Sequence, residues 1–548
     1  MPSRPRALPA LIAGALATVA GLSGCANRTE GEASDAPPAS DDSAAAAFAE
    51  RPNVDVVELS LVDAQAGMAA GRFSSADLVD AYLARIAAID DAGPMLNAVI
   101  ALNPQARADA EALDAERAVG TVRGPMHGIP VLVKDNIDVA GLPTTAGSLA
   151  LANHVPEDDA ALVARLRAAG AVILGKTNLS EWANFRSTNS ISGWSSAGGQ
   201  TRNPYVLDRN ACGSSSGTGA AIAASLATVG VGTETDGSIL CPSAVNGLVG
   251  FKPTVGVVSG DGIVPISASQ DTAGPMARSV ADASALMGAL AAVDLERAAH
   301  APTLTATGTS HTASSAGPLA GRRLGLLRQA MGRHPGLDAA TERAIERLRA
   351  AGADVTEVDM PTWGQWGPHE LTVLLYEFKD GLNRYLAEGS APVPSLDALI
   401  AWNVANAERA MPWFGQELLE QARAKGPLTD PAYLEARTAA KRLAGDEGVL
   451  KVLREGGFDA LIAPTTGPAW PIDPVLGDHF TSAGYGAAAV AGTPSLTIPM
   501  GEIHGLPVGL SLLGAPEGDA DLLALGAAVE AALPDGRTPP TFRPSLQP

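Results

Sequence analysis

The sequence predicts an α/β fold: one large domain with helices on the faces of a sheet, and a helical insertion late in the chain. Three observations lead there. Short apolar runs of strand length, at 128–133, 171–176 and 229–233, alternate with segments whose apolar residues recur at helical spacing. No internal repeat and no Pro/Ser linker divides the body, so most of the 548 residues read as one domain rather than several. Residues 361–455 break the alternation, reading as largely helical and holding Trp363, Trp366, Trp402 and Trp413.

The first 25 residues stand apart from that body. Arg4 and Arg6 make a positive start, and Ala7 to Leu22 form an apolar run too short to cross a bilayer comfortably. The run ends in Leu22-Ser23-Gly24-Cys25, which resembles the lipobox of bacterial lipoproteins, where cleavage precedes the cysteine and lipid is attached to its sulfur. Residues 1–24 are therefore expected to be a lipoprotein-type signal peptide, with Cys25 the lipidated residue. Residues 25–52, rich in Ala, Ser, Asp, Glu and Pro, read as a flexible tether, and 53–548 as the folded body. An ordinary secretory signal with an incidental cysteine is the alternative. Either way the protein is expected to be exported, to the periplasm or cell surface, and to meet the membrane by a lipid anchor only.

Composition narrows the function classes. With 46% hydrophobic and 18% charged residues the chain is that of a soluble globular protein. A net charge of −21 leaves no basic stripe to neutralise phosphates, so a nucleic-acid partner is not expected. Beyond Cys25 only Cys212 and Cys241 remain, too few for a disulfide scaffold or a zinc site, though the two could pair in an oxidising compartment.

The elements follow in order. Leu59 to Ile89 carries apolar residues at helical spacing (Leu78, Val79, Tyr82, Ile86) with a cap at Ser74-Ser75-Ala76-Asp77, and 104–119 reads as a second helix. Gly128 to Val133 is a buried strand that delivers Lys134-Asp135-Asn136 at its C-terminal end. Ala160–Ala169 is helical and 171–176 is the next strand. Between Ser187 and Gly219 the chain is Gly/Ser-rich, with no regular element expected, and 219–230 reads as a small-residue helix. Val229–Thr233 is a strand, 296–320 an exposed loop, Arg322–Leu327 a strand, Asp338–Ala351 a helix and Asp354–Val358 a strand.

Three segments carry the chemistry: Gly128 to Asp135 with its strand-end lysine, Cys212-Gly213-Ser214-Ser215-Ser216-Gly217-Thr218-Gly219, and Gly232-Thr233-Glu234-Thr235-Asp236-Gly237-Ser238-Ile239. In this order and spacing they resemble the amidase signature family, as do Gly247 to Thr254 and Asp271 to Arg278 further on. The resemblance spans about residues 55–535. It implies a single α/β/α domain with a mixed central sheet, no cofactor and no metal, and a Ser–cis-Ser–Lys triad. Carried onto this sequence, the nucleophile is Ser238, the proton bridge Ser214 and the base Lys134, with the peptide bond at Ser214 cis. By the same analogy Thr235, Asp236, Gly237 and Ser238 supply oxyanion N–H groups and Ser215 supports the loop. Two departures stand out. The common nucleophile motif reads Thr-Asp-x-Gly-Gly-Ser-Ile-Arg, whereas Glu234, Asp236 and Leu240-Cys241 replace its Asp, Gly and Arg-x positions, and Ser216 stands where a glycine is usual. This variant is similar to the peptide amidase branch, which removes ammonia from C-terminal peptide amides, and unlike the glutamine-hydrolysing component of tRNA amidotransferases, which works with partner proteins.

The chemistry is coherent without the family. An amide is a poor electrophile, so its hydrolysis needs a strong nucleophile, a base and anion stabilisation. A lysine can serve as base when burial favours its neutral amine. A histidine-based triad is not supported: none of the eight histidines accompanies a Gly-x-Ser-x-Gly elbow, and His127 reads as structural. Cys241 reads as packing rather than as a nucleophile. The expected substrates are small-molecule or peptide amides. The alternatives are an amidase or esterase acting on other small amides or esters, and a catalytically silent exported binding protein. Residues 361–455 and Gly484–Pro494 are expected to line the pocket.

Overall fold

The computed structural model describes residues 54–291, 317–389 and 391–546. The signal peptide, Cys25, the tether and most of the 296–320 loop expected from sequence lie outside these residues.

Among the described residues one large sheet forms the centre, with strands β1 (Val99–Leu102), β2 (Pro130–Lys134), β3 (Val172–Thr177), β6 (Val229–Glu234), β7 (Val249–Lys252), β8 (Thr272–Ala277), β9 (Arg323–Leu327), β10 (Asp354–Val358), β11 (Ala460–Pro464), β12 (Ser495–Ile503) and β13 (Leu506–Leu513). A separate two-residue ribbon pairs β4 (Trp194–Ser195) with β5 (Gly199–Gln200). The order across the large sheet is β1-β3-β2-β6-β8-β7-β12-β13-β11-β9-β10. β3, β2 and β6 run parallel, as do β11, β9 and β10, and the strands between the two groups pair antiparallel. The sheet is therefore mixed, as expected.

Helices cover both faces. On β12, Leu496 and Ile498 meet Gly526 of the Asp519–Ala532 helix. Thr497, between them, turns to the other face, where it lies with Gly509 and Ala244 of the Leu240–Val245 helix. This is the alternation a strand buried on both sides requires. β2 and β6 are buried at every position, which is why they read in the sequence as unbroken apolar runs.

The small-residue helix spans Ser216–Ala223, starting three residues and ending seven residues earlier than its sequence pattern places it. Side chains at Gly217 and Gly219 would collide with Asn178 and Pro242, so these glycines serve close packing inside the helix rather than a loop before it. The aromatic-rich insertion is helical, led by Gly367–Glu388, Leu396–Ala405, Glu417–Arg423 and Pro431–Lys441. Phe378, Leu382, Leu399 and Leu419 build a second core there with Trp182 and Phe185.

Candidate active site

The site lies at the C-terminal ends of β2 and β6, the position where parallel strands deliver polar groups beyond the sheet. The register pairs Val133 with Val231, so the two strands end together and the Lys134 side chain reaches Thr233. Lys134 is fully buried. Its Nζ donates to Ser214 Oγ at 2.7 Å, Thr233 Oγ1 at 2.8 Å and the Thr233 carbonyl at 3.3 Å. Asn136 Nδ2 donates to the same Thr233 hydroxyl at 3.0 Å. Among the described residues no carboxylate forms an ion pair with Lys134. Burial lowers its pKa to about 7, against the opposing charges of Asp271 and Glu234. Burial thus favours the neutral amine of Lys134 far more than water would.

Ser214 sits on the turn before the Ser216–Ala223 helix, and the Gly213–Ser214 peptide bond is cis. Ser180 N–H donates to the Ser214 carbonyl at 3.1 Å. Ser215 pins the turn to β6: its hydroxyl donates to the Thr233 carbonyl at 3.1 Å and accepts from Thr233 N–H at 3.2 Å. The Ser214 turn meets the Ser238 loop through the main chain, Ser215 N–H donating to the Ser238 carbonyl at 3.2 Å. A disulfide between Cys212 and Cys241 joins the same two loops covalently. The sequence leaves that pairing open, and the bond leaves neither sulfur as a free thiol.

The Ser238 loop is shaped from both sides. Gly237 has φ +79°, and a Cβ there would lie 2.1 Å from the Tyr485 ring, so this turn admits only glycine. Glu234, buried at the end of β6, accepts from Ile239 N–H at 2.8 Å and Leu240 N–H at 3.0 Å, holding the start of the Leu240–Val245 helix. Burial raises the Glu234 pKa and lowers that of Lys252 to about 8, each opposing the other's shift by its charge. Thr235 Oγ1 donates to Asp271 Oδ1 at 2.6 Å. Asp271 is pushed up to about 6, chiefly by burial.

Ser214, Thr233 and Thr235 open onto a cavity of about 540 Å³ whose far wall carries Arg384 and Tyr385 of the Gly367–Glu388 helix. The insertion expected to line the pocket does line this cavity. Tyr385 is held there by donating to Asp138 Oδ1 at 2.7 Å. The Gly484–Pro494 stretch packs on the Ser238 loop, Tyr485 against Gly237 and Gly486 beside the Asp236 carboxylate.

Sequence reasoning passes over Thr233, Asn136 and Asp271. Thr233 and Asn136 carry a usable signal, since each adjoins a motif at the end of a buried strand. Asp271 stands out in the sequence only as part of a flanking block. His127, buried with Nε2 3.0 Å from the Leu113 carbonyl, is a packed structural histidine, as its sequence context implies.

The chain belongs to the amidase family, whose model matches residues 77–523. It is an amidase, a hydrolase of carbon–nitrogen bonds in amides. It is similar to the solved native peptide amidase from Stenotrophomonas maltophilia: 53% identity over 88% of this chain and 99% of that one, with a TM-score of 0.82. A probable amidase of Arabidopsis thaliana is 37% identical over 505 residues, 89% of this chain and 92% of the relative. A putative amidase of Schizosaccharomyces pombe is 33% identical over 511 residues, 87% of this chain and 86% of its own length.

Proposed function

We propose that the enzyme hydrolyses C-terminal peptide amides to free peptides and ammonia, with Ser238 as nucleophile, Ser214 as proton bridge and Lys134 as base. The carrying observation is a fully buried Lys134 amine, with a pKa near 7, donating to Ser214 at 2.7 Å and held by hydroxyl and carbonyl groups rather than a carboxylate. Neutral Lys134 takes the Ser214 proton as Ser214 takes that of Ser238. Ser238 Oγ then bonds to the amide carbon, and the charge moves onto the carbonyl oxygen, where N–H groups of Thr235 to Ser238 receive it. The C–N bond breaks as Ser214 passes a proton to the leaving nitrogen and recovers one from Lys134. Water then cleaves the acyl-ester by the same relay. Ser215, bonded to both main-chain groups of Thr233, holds the bridge in place.

Similarity to a peptide amidase at 53% identity over nearly its whole length supports the peptide class. The test is ammonia release by the full-length protein from amidated peptides, glutamine, asparagine and aliphatic amides. Release from amidated peptides that vanishes in Ser238→Ala is the expected result. Turnover surviving in that variant would remove Ser238 from the mechanism, and activity confined to small amides would move the substrate class.

The body is further proposed to be residues 53–548, carried outside the cytoplasm on a Cys25 lipid anchor and the 25–52 tether. The support is the charged start, short apolar run and Leu-Ser-Gly-Cys ending of residues 1–25. Cys25→Ser is expected to move the protein from the membrane to the soluble fraction. A membrane fraction unchanged by that substitution would overturn the anchor.

A further inference from the structure

From Asn210 to Pro253, through both serine loops, every residue is buried except one. Asp236, on the Ser238 loop itself, is exposed, although protein surrounds it closely enough to disfavour its charge. It is also one of the sequence's departures from the common motif, a carboxylate where glycine is usual.

Its surroundings are set by a few neighbours. The Asp236 carboxylate oxygens lie 3.7 and 3.8 Å from the point a Cβ on Gly486 would occupy, and the Trp366 ring carbon Cζ2 lies 3.8 Å from the same point. Glycine at 486 keeps that space free. One turn along the helix from Trp366 stands Glu370, whose Oε1 accepts from Gln270 Nε2 at 3.0 Å. The same Gln270 nitrogen donates to the Thr235 carbonyl at 3.2 Å, which ties Glu370 to the residue preceding Asp236. Among the described residues the Asp236 carboxylate has no hydrogen bond or ion pair.

We propose that the Asp236 carboxylate, seconded by Glu370, receives a cationic nitrogen of the substrate, making this enzyme selective for amides with an ammonium or guanidinium group near the scissile carbonyl. The inference rests on the amidase mechanism above, which places the carbonyl oxygen at the N–H groups of this same loop. Burial and the charges of Glu370 and Glu234 push Asp236 well above the usual carboxylate range. Of the cations, Lys252 opposes this, but its Nζ donates to the Pro253 carbonyl at 3.0 Å. A ligand cation supplies the missing counter-charge, while a neutral ligand leaves the carboxylate desolvated. Carboxylates are suited to ammonium and guanidinium groups, and a net charge of −21 draws cations toward the protein.

The test compares three amides on the full-length enzyme: N-acetylnorleucinamide, which is neutral; norleucinamide, with a free α-ammonium; and N-acetyllysinamide, cationic only in its side chain. One or both cationic amides are expected to exceed the neutral one in kcat/KM by roughly tenfold or more, and which one does so identifies the source of the charge. In Asp236→Asn that ratio is expected to fall toward one, and in wild type to shrink with added salt. Equal turnover of all three by wild type overturns the cation site. So does a cation preference that persists in Asp236→Asn or, should that variant not fold, one that is undiminished in Glu370→Gln. Failure of the amidase reading is separate, because it would show as no ammonia from any of the three.

Discussion

β2 and β3 lie side by side and each carries a fully buried lysine near its end, yet the two surroundings are opposite. The register sets Val133 against Lys176 and Lys134 against Thr177, so the two amines belong to adjoining strands at nearly the same depth. Lys176 Nζ meets Asp135 Oδ1 at 3.0 Å, with Thr144 Oγ1 at 3.0 Å and the Pro143 carbonyl at 3.1 Å completing its partners. Lys134, next to Asp135 in the chain, points to the other side of the strand and finds only hydroxyls and a carbonyl. A buried cation is tolerated when a carboxylate balances it, and is otherwise driven toward its neutral form. One residue type at one burial is thus paired with a carboxylate in one place and, on the mechanism proposed, left as a base in the other.

The largest expected effect breaks the pair apart. Lys134→Ala should lower kcat at pH 7 by about 10³-fold or more, with a thermal midpoint close to wild type. Lys176→Met should do the reverse. It leaves Asp135 buried without its cation, at a cost of about 3–5 kcal/mol of stability, while enzyme that remains folded keeps most of its turnover. Melting curves and kcat measured on both variants decide it. If Lys176→Met loses turnover as steeply as Lys134→Ala while folded, the division of roles is wrong.

A smaller effect concerns how Lys134 is held. In wild type, kcat/KM should rise with pH through a midpoint near 7 if the proposed base acts as its neutral amine, since burial lowers its pKa to about 7. Thr233→Val removes the hydroxyl that accepts from both Lys134 and Asn136. Roughly a tenfold drop in kcat is expected, with KM little changed and the acid limb moved below its wild-type midpoint, since the ammonium form loses an acceptor. Thr233→Ser should restore most of both. A pH profile unmoved by the valine variant would show that Thr233 does not act through Lys134.

The same pair marks what the sequence could and could not convey. Val133-Lys134 and Gly175-Lys176 each end an apolar run in lysine, and nothing local distinguishes base from structural cation. Lys134 is set apart only by its place in an ordered set of motifs with Ser214 and Ser238. Of the eleven strands of the large sheet, β2, β3, β6, β9 and β10 were legible, the first three because burial at every position writes itself as continuous hydrophobicity. The strands β1, β7, β8, β11, β12 and β13 went unread. The start of the Ser216–Ala223 helix was misplaced because its glycines serve packing there, while composition reads them as loop. Thr233, Asn136 and the Cys212–Cys241 bond depend on which segments meet across the sheet ends, information that lies in register and not in any one segment.

The comparison carries over to carboxylates, with the sign reversed and the effect smaller. Asp135 has the Lys176 cation beside it, whereas the Glu530 carboxylate accepts from Val280 N–H at 3.0 and 3.2 Å, and the nearby charge that shifts it, Asp282, is of like sign. Burial raises Glu530 to about 7 from an ordinary value of 4.5. A carboxyl whose folded pKa is raised binds more protons folded than unfolded. Its favourable contribution is therefore complete below about pH 4.5 and is lost as pH rises through about 7. For this partly exposed group the loss should be on the order of 1–2 kcal/mol. Glu530→Gln keeps an acceptor for Val280 N–H and cannot ionise, so unfolding free energies measured from pH 5 to 8 should fall less steeply than in wild type. Equal slopes in the two proteins would mean that the Val280 N–H bond, and not burial, governs this carboxylate.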